Sequence, residues 1–384
     1  MEKKKNDFIA QGSILAIASI LVRVMGMIYR IPMTAIIGDK GNGFYSYAYS
    51  VYTILLLLSS YSLPLAVSKM VSAKAQLGQW RNVKRVFICA IAFAIGIGTT
   101  FGLIVLIGAQ FFTRGFFHSE LAAIALRFMA PTILIMALLG VFRGFFQGLQ
   151  NTLPTAVSQI VEGLINAIMS VVFAYFLFDF GHGMDAAGGT TDLGYAWGAA
   201  GGAIGTGAGA LAGLIFCFIL FVAYRKILAV NISRDKTGTQ QEYGDIFRLM
   251  LSIALPVILS TALYNLIELV DGSLFNNIMA SKGMEDVKDS MWGAYNAKAL
   301  LLVHIPVSIS SAMAVSLVPT LTAAYALGDE QTAKSKVHAI LRFISILAFP
   351  SAVGLLVLAN PIIKTLFSGD TSAASTYLQV VCPA

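Results

Sequence analysis

Charge is what this sequence has least of. Asp, Glu, Lys and Arg together make up 12% of its 384 residues, against 57% hydrophobic ones. A soluble domain carries about twice that share of charge, so a water-soluble globule is excluded and a polytopic membrane protein is left. Cysteine is nearly absent too. Cys89, Cys217 and Cys382 lie in apolar runs, with no C-x-x-C spacing and no His at ligand spacing. That excludes a disulfide framework and a Cys/His metal centre, and the three read as small buried residues. No small-residue cleavage site followed by polar sequence comes after the first apolar run, so a cleaved signal peptide is not expected. The formal net charge of +7 is no mark of nucleic-acid binding, because the basic residues fall between apolar runs.

What is present is a series of apolar runs, each long enough at about 20 residues to span a bilayer. They fall near 8–37, 44–67, 83–112, 121–147, 154–180, 193–224, 247–280, 291–318 and 338–367. A tenth begins near Ser372 and stops at Ala384, which reads as a chain truncated within a span. Basic residues alternate between the connections. Lys3, Lys4, Lys5, Lys69, Lys74, Arg81, Lys84, Arg85, Arg143, Arg225, Lys226, Arg234, Lys236, Lys334 and Lys336 fall on one side. The other side holds only Lys40, Arg114, Lys282, Lys288 and Lys364. The positive-inside rule then places the N-terminus in the cytoplasm.

An internal repeat is visible at an offset of 250: Gly43 and Tyr45 match Gly293 and Tyr295, Ala73 matches Ala323, Leu77-Gly78 matches Leu327-Gly328, and Lys84 matches Lys334. Six spans separate the copies, and an even number implies a parallel repeat about an axis along the membrane normal. The expected fold is all-α, with two pseudo-symmetric lobes around a central cavity. Residues 1–224 would form a six-helix N-terminal lobe, 225–246 a cytoplasmic linker and 247–384 an incomplete second lobe of about four helices. The Gly and polar content of 234–244 predicts a flexible connection. The basic stretch 68–86 reads equally as an interfacial helix or a solvated loop.

Few charges lie inside the apolar runs. Arg23 and Arg30 sit in the first, seven residues and so two turns apart on one helical face. An arginine at mid-membrane costs about 2.5 kcal/mol or more unless it meets water or an anion. With Gly26 between them and Pro32 after them, the pair points to a polar cavity. Lys298 lies in the eighth run, where the repeat sets it opposite the arginine helix. Arg23, Arg30 and Lys298 are therefore the expected anion-binding set, since fixed cations in a low-dielectric groove suit phosphate oxygens. Glu268 and Asp271, three apart in the seventh run with Asn265 alongside, are candidates for ion or proton coupling. Glu162 is a weaker candidate, read first as half of a structural ion pair. The glycine row Gly198, Gly202, Gly205, Gly209 and Gly213 reads as a close-packing face.

Arg23-Val-Met-Gly-Met-Ile-Tyr-Arg30-Ile-Pro32, the Gly43-Phe-Tyr45 opening of the second run, Leu63-Pro-Leu-Ala66 and the two Leu-Gly-x5-Lys turns resemble the lipid-linked oligosaccharide flippases of the MOP exporter superfamily. Within it the sequence is most similar to the stage V sporulation protein B and lipid II flippase group. The resemblance spans the whole chain. It implies two six-helix lobes, often with extra C-terminal helices, and alternating-access transport of an undecaprenyl-diphosphate-linked saccharide whose diphosphate is held by cavity arginines. Arg23 and Arg30 match the first-span arginines, at a separation of seven where the lipid II branch can have six. Lys298 falls about where that branch carries a span-eight arginine.

The expected function is thus flippase activity in the bacterial cytoplasmic membrane. Its partners would be a lipid-linked anionic saccharide and membrane lipids, with no cofactor, metal or nucleic acid. A multidrug cation antiporter of the same fold is the alternative, but it calls for a first-lobe carboxylate, and only Glu162 is available. A membrane enzyme would have to use Asp179, His182, Asp185 and Asp192, in a stretch that reads as a Gly-rich loop.

Overall fold

The computed structural model describes residues 18–188, 192–311, 313, 329–369 and 371–382. Ala323 and Leu327-Gly328, on which part of the repeat rests, lie outside the described residues. Every element among the described residues is helical. The chain opens with α1 (Ala18–Ile28) and α2 (Arg30–Leu56). A π-turn (Leu57–Tyr61) leads into α3 (Leu63–Gln76). The long helices α4 (Trp80–Phe117), α5 (Ala122–Gly148), α6 (Leu153–Gly188) and α7 (Leu193–Ser233) complete a first bundle. The second holds α8 (Tyr243–Ser281), α9 (Glu285–Ala294), a π-turn (Tyr295–Leu300), α10 (301–311), α11 (Glu330–Val357), α12 (Ala359–Leu366) and α13 (Ser372–Val381).

Seven of these helices are long and apolar enough to cross a membrane. Several exceed the expected spans. The 41 residues of α7 extend about 60 Å, twice the hydrocarbon thickness, so its ends stand clear of it. Large apolar side chains cover the outer surface, with Ile107 80% and Phe349 73% exposed. That distribution fits lipid as the solvent.

Two breaks shape the beginning of the chain. Pro32 has no N–H for the Ile28 carbonyl, and α1 gives way to α2 at Tyr29. At Gly38 the backbone turns to φ 62°, ψ −176°, a conformation that glycine adopts at little cost. The first span therefore ends at Ile37, as the hydropathy indicates, and a new axis starts at Asp39.

Close backbone packing holds the first bundle together. On α7, a Cβ added to Gly201 or Gly205 would overlap the α6 backbone at Ala174 and Ser170. One at Gly209 would lie 2.6 Å from the Glu162 carbonyl oxygen. Gly202 turns the other way, toward Met33 and Tyr45 of α2. The glycine row is a packing face, shared between two neighbours.

The connection between the bundles is not the loose linker that its composition suggests. Asp235 accepts the Arg81 N–H at 2.9 Å and the Thr237 N–H at 2.9 Å. Asn82 donates to the Thr239 carbonyl at 3.2 Å and accepts the Gln241 N–H at 2.9 Å. Arg85 donates to Gln240 at 2.8 Å, and its guanidinium lies 5.1 Å from the centre of the Tyr243 ring. Residues 235–243 are thus strapped to the first turns of α4. Composition recorded their polarity, but not that the partners wait about 155 residues earlier. The basic stretch 68–86 is likewise helical, shared between α3 and α4.

Candidate functional site

Between the bundles lies a cavity of about 840 Å³. Three stripes form most of its wall. On α2 these are Arg30 and Met33, then, beyond the Gly38 turn, Asn42, Tyr45, Ser46 and Tyr49. The last four recur at the three- and four-residue steps that keep side chains on one helical face. On α8 the stripe is Asn265, Glu268, Asp271 and Phe275. The third stripe comprises Met291, Trp292, Tyr295 and Asn296 of α9 and its π-turn, with His304 of α10 and Tyr377 of α13 completing the wall. Two hydrogen bonds tie α2 to α8: Ser50 Oγ donates to Glu268 at 3.2 Å, and Tyr47 Oη to Asn276 at 3.1 Å.

Arg30 enters this cavity half-buried, beside Tyr29, Tyr45 and Tyr49. Among the described residues no carboxylate stands within ion-pairing distance of it. Its neighbours are hydroxyls, which do not neutralise it. Glu268 and Asp271 line the same space from α8, with no ion pair among the described residues. The cavity therefore has one cationic wall and one anionic wall.

The expected cationic set is not brought together. Arg23 is exposed on α1 and is not part of the cavity wall. Lys298 is 1% exposed and bonded at 2.8 Å to Asp39, which matches its charge outside the cavity lining. Position along the chain put Lys298 opposite α2 correctly, but not the carboxylate it meets there. Glu162 forms the structural pair that its position suggests: Arg143 Nη2 donates to it at 2.7 Å, while Arg143 Nε donates to Ser158 Oγ at 2.9 Å.

Of the residues weighed for catalysis, Asp185 and Asp192 are in structural use. Positions 179–188 are the last turns of α6 rather than a loop. Asp185 accepts the N–H groups of Leu193 and Gly194, each at 2.9 Å, and so caps the start of α7. Asp192 pairs with Lys40 at 2.8 Å, and His182 stacks on Phe178.

Sequence reasoning missed Asp39. It also missed the aromatic lining of Tyr49, Trp292 and Tyr377. One signal was available: at the offset of 250, Asp39-x3-Gly43-x-Tyr45 is repeated as Asp289-x3-Gly293-x-Tyr295.

Comparison with known proteins agrees with this architecture. A family model described as polysaccharide biosynthesis protein matches residues 8–324, and a second of the same description matches 286–374. Lipid II flippase MurJ of Bacillus subtilis is 26% identical over 94% of this chain, and the chain spans 65% of that protein's length. Stage V sporulation protein B of the same organism is 24% identical over 99% of the chain, which covers 70% of it. Among solved structures, the inward-facing form of a MATE multidrug resistance transporter of the MOP superfamily superposes with a TM-score of 0.70 at 13% identity, over 94% of this chain and 79% of that one. A MOP superfamily transporter from Pyrococcus furiosus, described by the reversed polarity of its binding pocket, gives a TM-score of 0.63 at 15% identity, over 98% of this chain and 78% of that one. At those identities the structures establish the fold alone. With two bundles around a central cavity and a family match over residues 8–324, the chain belongs to the polysaccharide biosynthesis protein family.

Proposed function

We propose that this protein translocates an undecaprenyl-diphosphate-linked saccharide, a peptidoglycan or polysaccharide precursor, across the bacterial cytoplasmic membrane by alternating access. The observation that carries the reading is Arg30: a permanent cation in a membrane cavity, ringed by tyrosines and without a carboxylate partner among the described residues. Such a side chain costs several kcal/mol unless water or an anion meets it. Its planar fork suits two phosphate oxygens at once. Tyr45, Tyr49, Tyr295 and Trp292 offer flat faces and hydroxyls for a sugar ring, while the prenyl chain stays in lipid.

In this scheme Arg30 binds the diphosphate. Arg23, exposed on α1, meets the headgroup on its approach, and Lys298 pairs with Asp39 rather than with the substrate. Glu268 and Asp271 take the coupling cation or proton. With the N-terminus in the cytoplasm, Lys40, Asp192 and Lys288 lie at the outer end. The antiporter alternative loses support because Glu162, its first-bundle carboxylate, is held by Arg143.

Native mass spectrometry of the purified protein tests the reading. A co-purifying prenyl-diphosphate lipid that disappears in Arg30→Ala is the expected result. Equal retention by Arg30→Ala and wild type refutes the assignment.

A further inference from the structure

The repeated Asp-x3-Gly-x-Tyr motif meets itself in the fold. A Cβ placed on Gly43 would overlap the Asp289 carbonyl, and one placed on Gly293 would overlap the Asp39 carbonyl. Each glycine thus packs on the aspartate that precedes the other by four residues, a reciprocal contact between α2 and α9. The residues flanking it, Asn42, Tyr45, Trp292 and Tyr295, line the cavity, so the crossing closes one of its ends. Beneath it Tyr47 stacks on Phe117 at 4.7 Å and on Trp292 at 6.1 Å.

Ion pairs cluster at this end, and they differ in what they join. Lys40–Asp192 lies within the first bundle and Lys288–Asp289 within the second, although Lys288 also donates to the Phe117 carbonyl of the first at 3.2 Å. Among the described residues, Asp39–Lys298 at 2.8 Å is the one ion pair between the bundles. We propose that the α2–α9 crossing is the gate that seals the cavity at the Lys40 end, and that Asp39–Lys298 is its latch. The proposal rests on the transporter reading. The glycine contact itself has no interlocked side chains, so in this proposal the bundles part there by rigid movement as the Tyr47–Trp292 stack beneath it separates. The latch suits reversible closure. Taking both charges out of water offsets most of their attraction, so the pair holds the gate without fixing it. Opening lets water reach both.

Cysteine accessibility tests the gate without relying on transport. Cys89, Cys217 and Cys382 are replaced by Ser, and Ser46→Cys in the cavity wall becomes the reporter. A membrane-impermeant maleimide is applied from the face that carries Lys40. The reference protein is expected to label slowly. Asp39→Asn and Lys298→Met are expected to label at least tenfold faster. The charge-reversed double variant, Asp39→Lys with Lys298→Asp, is expected to return to the slow rate. Gly293→Ala keeps both charges and wedges the crossing, so it also labels fast and serves if the charge variants do not fold. Fast labelling of the reference overturns the gate, as does slow labelling of a folded Gly293→Ala protein. Unchanged labelling in the single charge variants overturns the latch. Failure of the transporter reading is distinguishable: the reference then moves no lipid-linked substrate, whatever its labelling.

Discussion

Replacing Glu162 by Gln decides whether that carboxylate supports the fold or works in transport. Its Oε2 lies 2.7 Å from Arg143 Nη2, with the Arg143 side chain 11% and the Glu162 side chain 25% exposed. At an effective dielectric of 20, two unit charges at that separation attract by about 6 kcal/mol. Desolvation returns much of this. Removing one partner of a buried pair nevertheless costs about 3–5 kcal/mol, because the other charge is stranded. A quarter of the Glu162 side chain remains accessible, which lowers the expectation to about 2–4 kcal/mol. Ser158 keeps its bond to Arg143 Nε in the variant and cannot take up the charge. The assay is thermal unfolding in detergent, run as a double-mutant cycle with Arg143→Met. Glu162→Gln should lower the midpoint clearly, and the double variant should lie nearer wild type than the sum of the single losses. A Glu162→Gln protein of wild-type stability that has lost transport would refute the structural assignment and revive the antiporter reading.

Other consequences follow from particular residues. Gly43→Ala should destabilise by about 1–3 kcal/mol through overpacking, because the atom in the way is backbone and cannot rotate aside. Gly96→Ala on α4, with nothing within 4 Å of its new Cβ, should instead gain about 0.5–1 kcal/mol; the same unfolding assay reads both. The N–H groups of Arg81 and Thr237 and the Thr237 hydroxyl hold the Asp235 carboxyl down from its ordinary 3.8 to about 2. The depressed value means that this contribution of the strap is complete above pH 3.8 and is lost as pH falls through about 2. Hydrogen exchange at 235–243 should rise across that window in wild type and stay flat in Asp235→Asn.

The helical architecture was legible because its determinants are local. Lipid-length apolar runs, the glycine row of α7 and the break after Ile37 each act within a few residues. Arg30 was legible for the same reason, since a cation in an apolar run is costly wherever the run folds. Glu162 was recognised as half of a pair, though its partner was not named. What local pattern could not supply was pairing over distance. Lys298 looked like a cavity cation because nothing near it in the sequence announces Asp39, 259 residues earlier. The strap at 235–243 looked loose because Asn82 and Arg85 lie 159 and 155 residues before the groups they bond. Arg23 misled in the opposite sense: its helical phase matches that of Arg30, but the cavity stops short of its turn. The Asp39 and Asp289 repeat was in plain view, yet identities at one offset gain meaning only when the two copies touch.

The most direct test of the central claim is translocation itself. Wild type, Arg30→Ala, Arg30→Lys and Arg23→Ala are reconstituted in liposomes containing a fluorescent undecaprenyl-diphosphate-linked saccharide, and its appearance in the opposite leaflet is followed by accessibility to a membrane-impermeant quencher. The account predicts translocation by wild type, near-complete loss in Arg30→Ala, partial activity in Arg30→Lys, which keeps the charge without the fork, and the smallest loss in Arg23→Ala. Undiminished translocation by Arg30→Ala would contradict it.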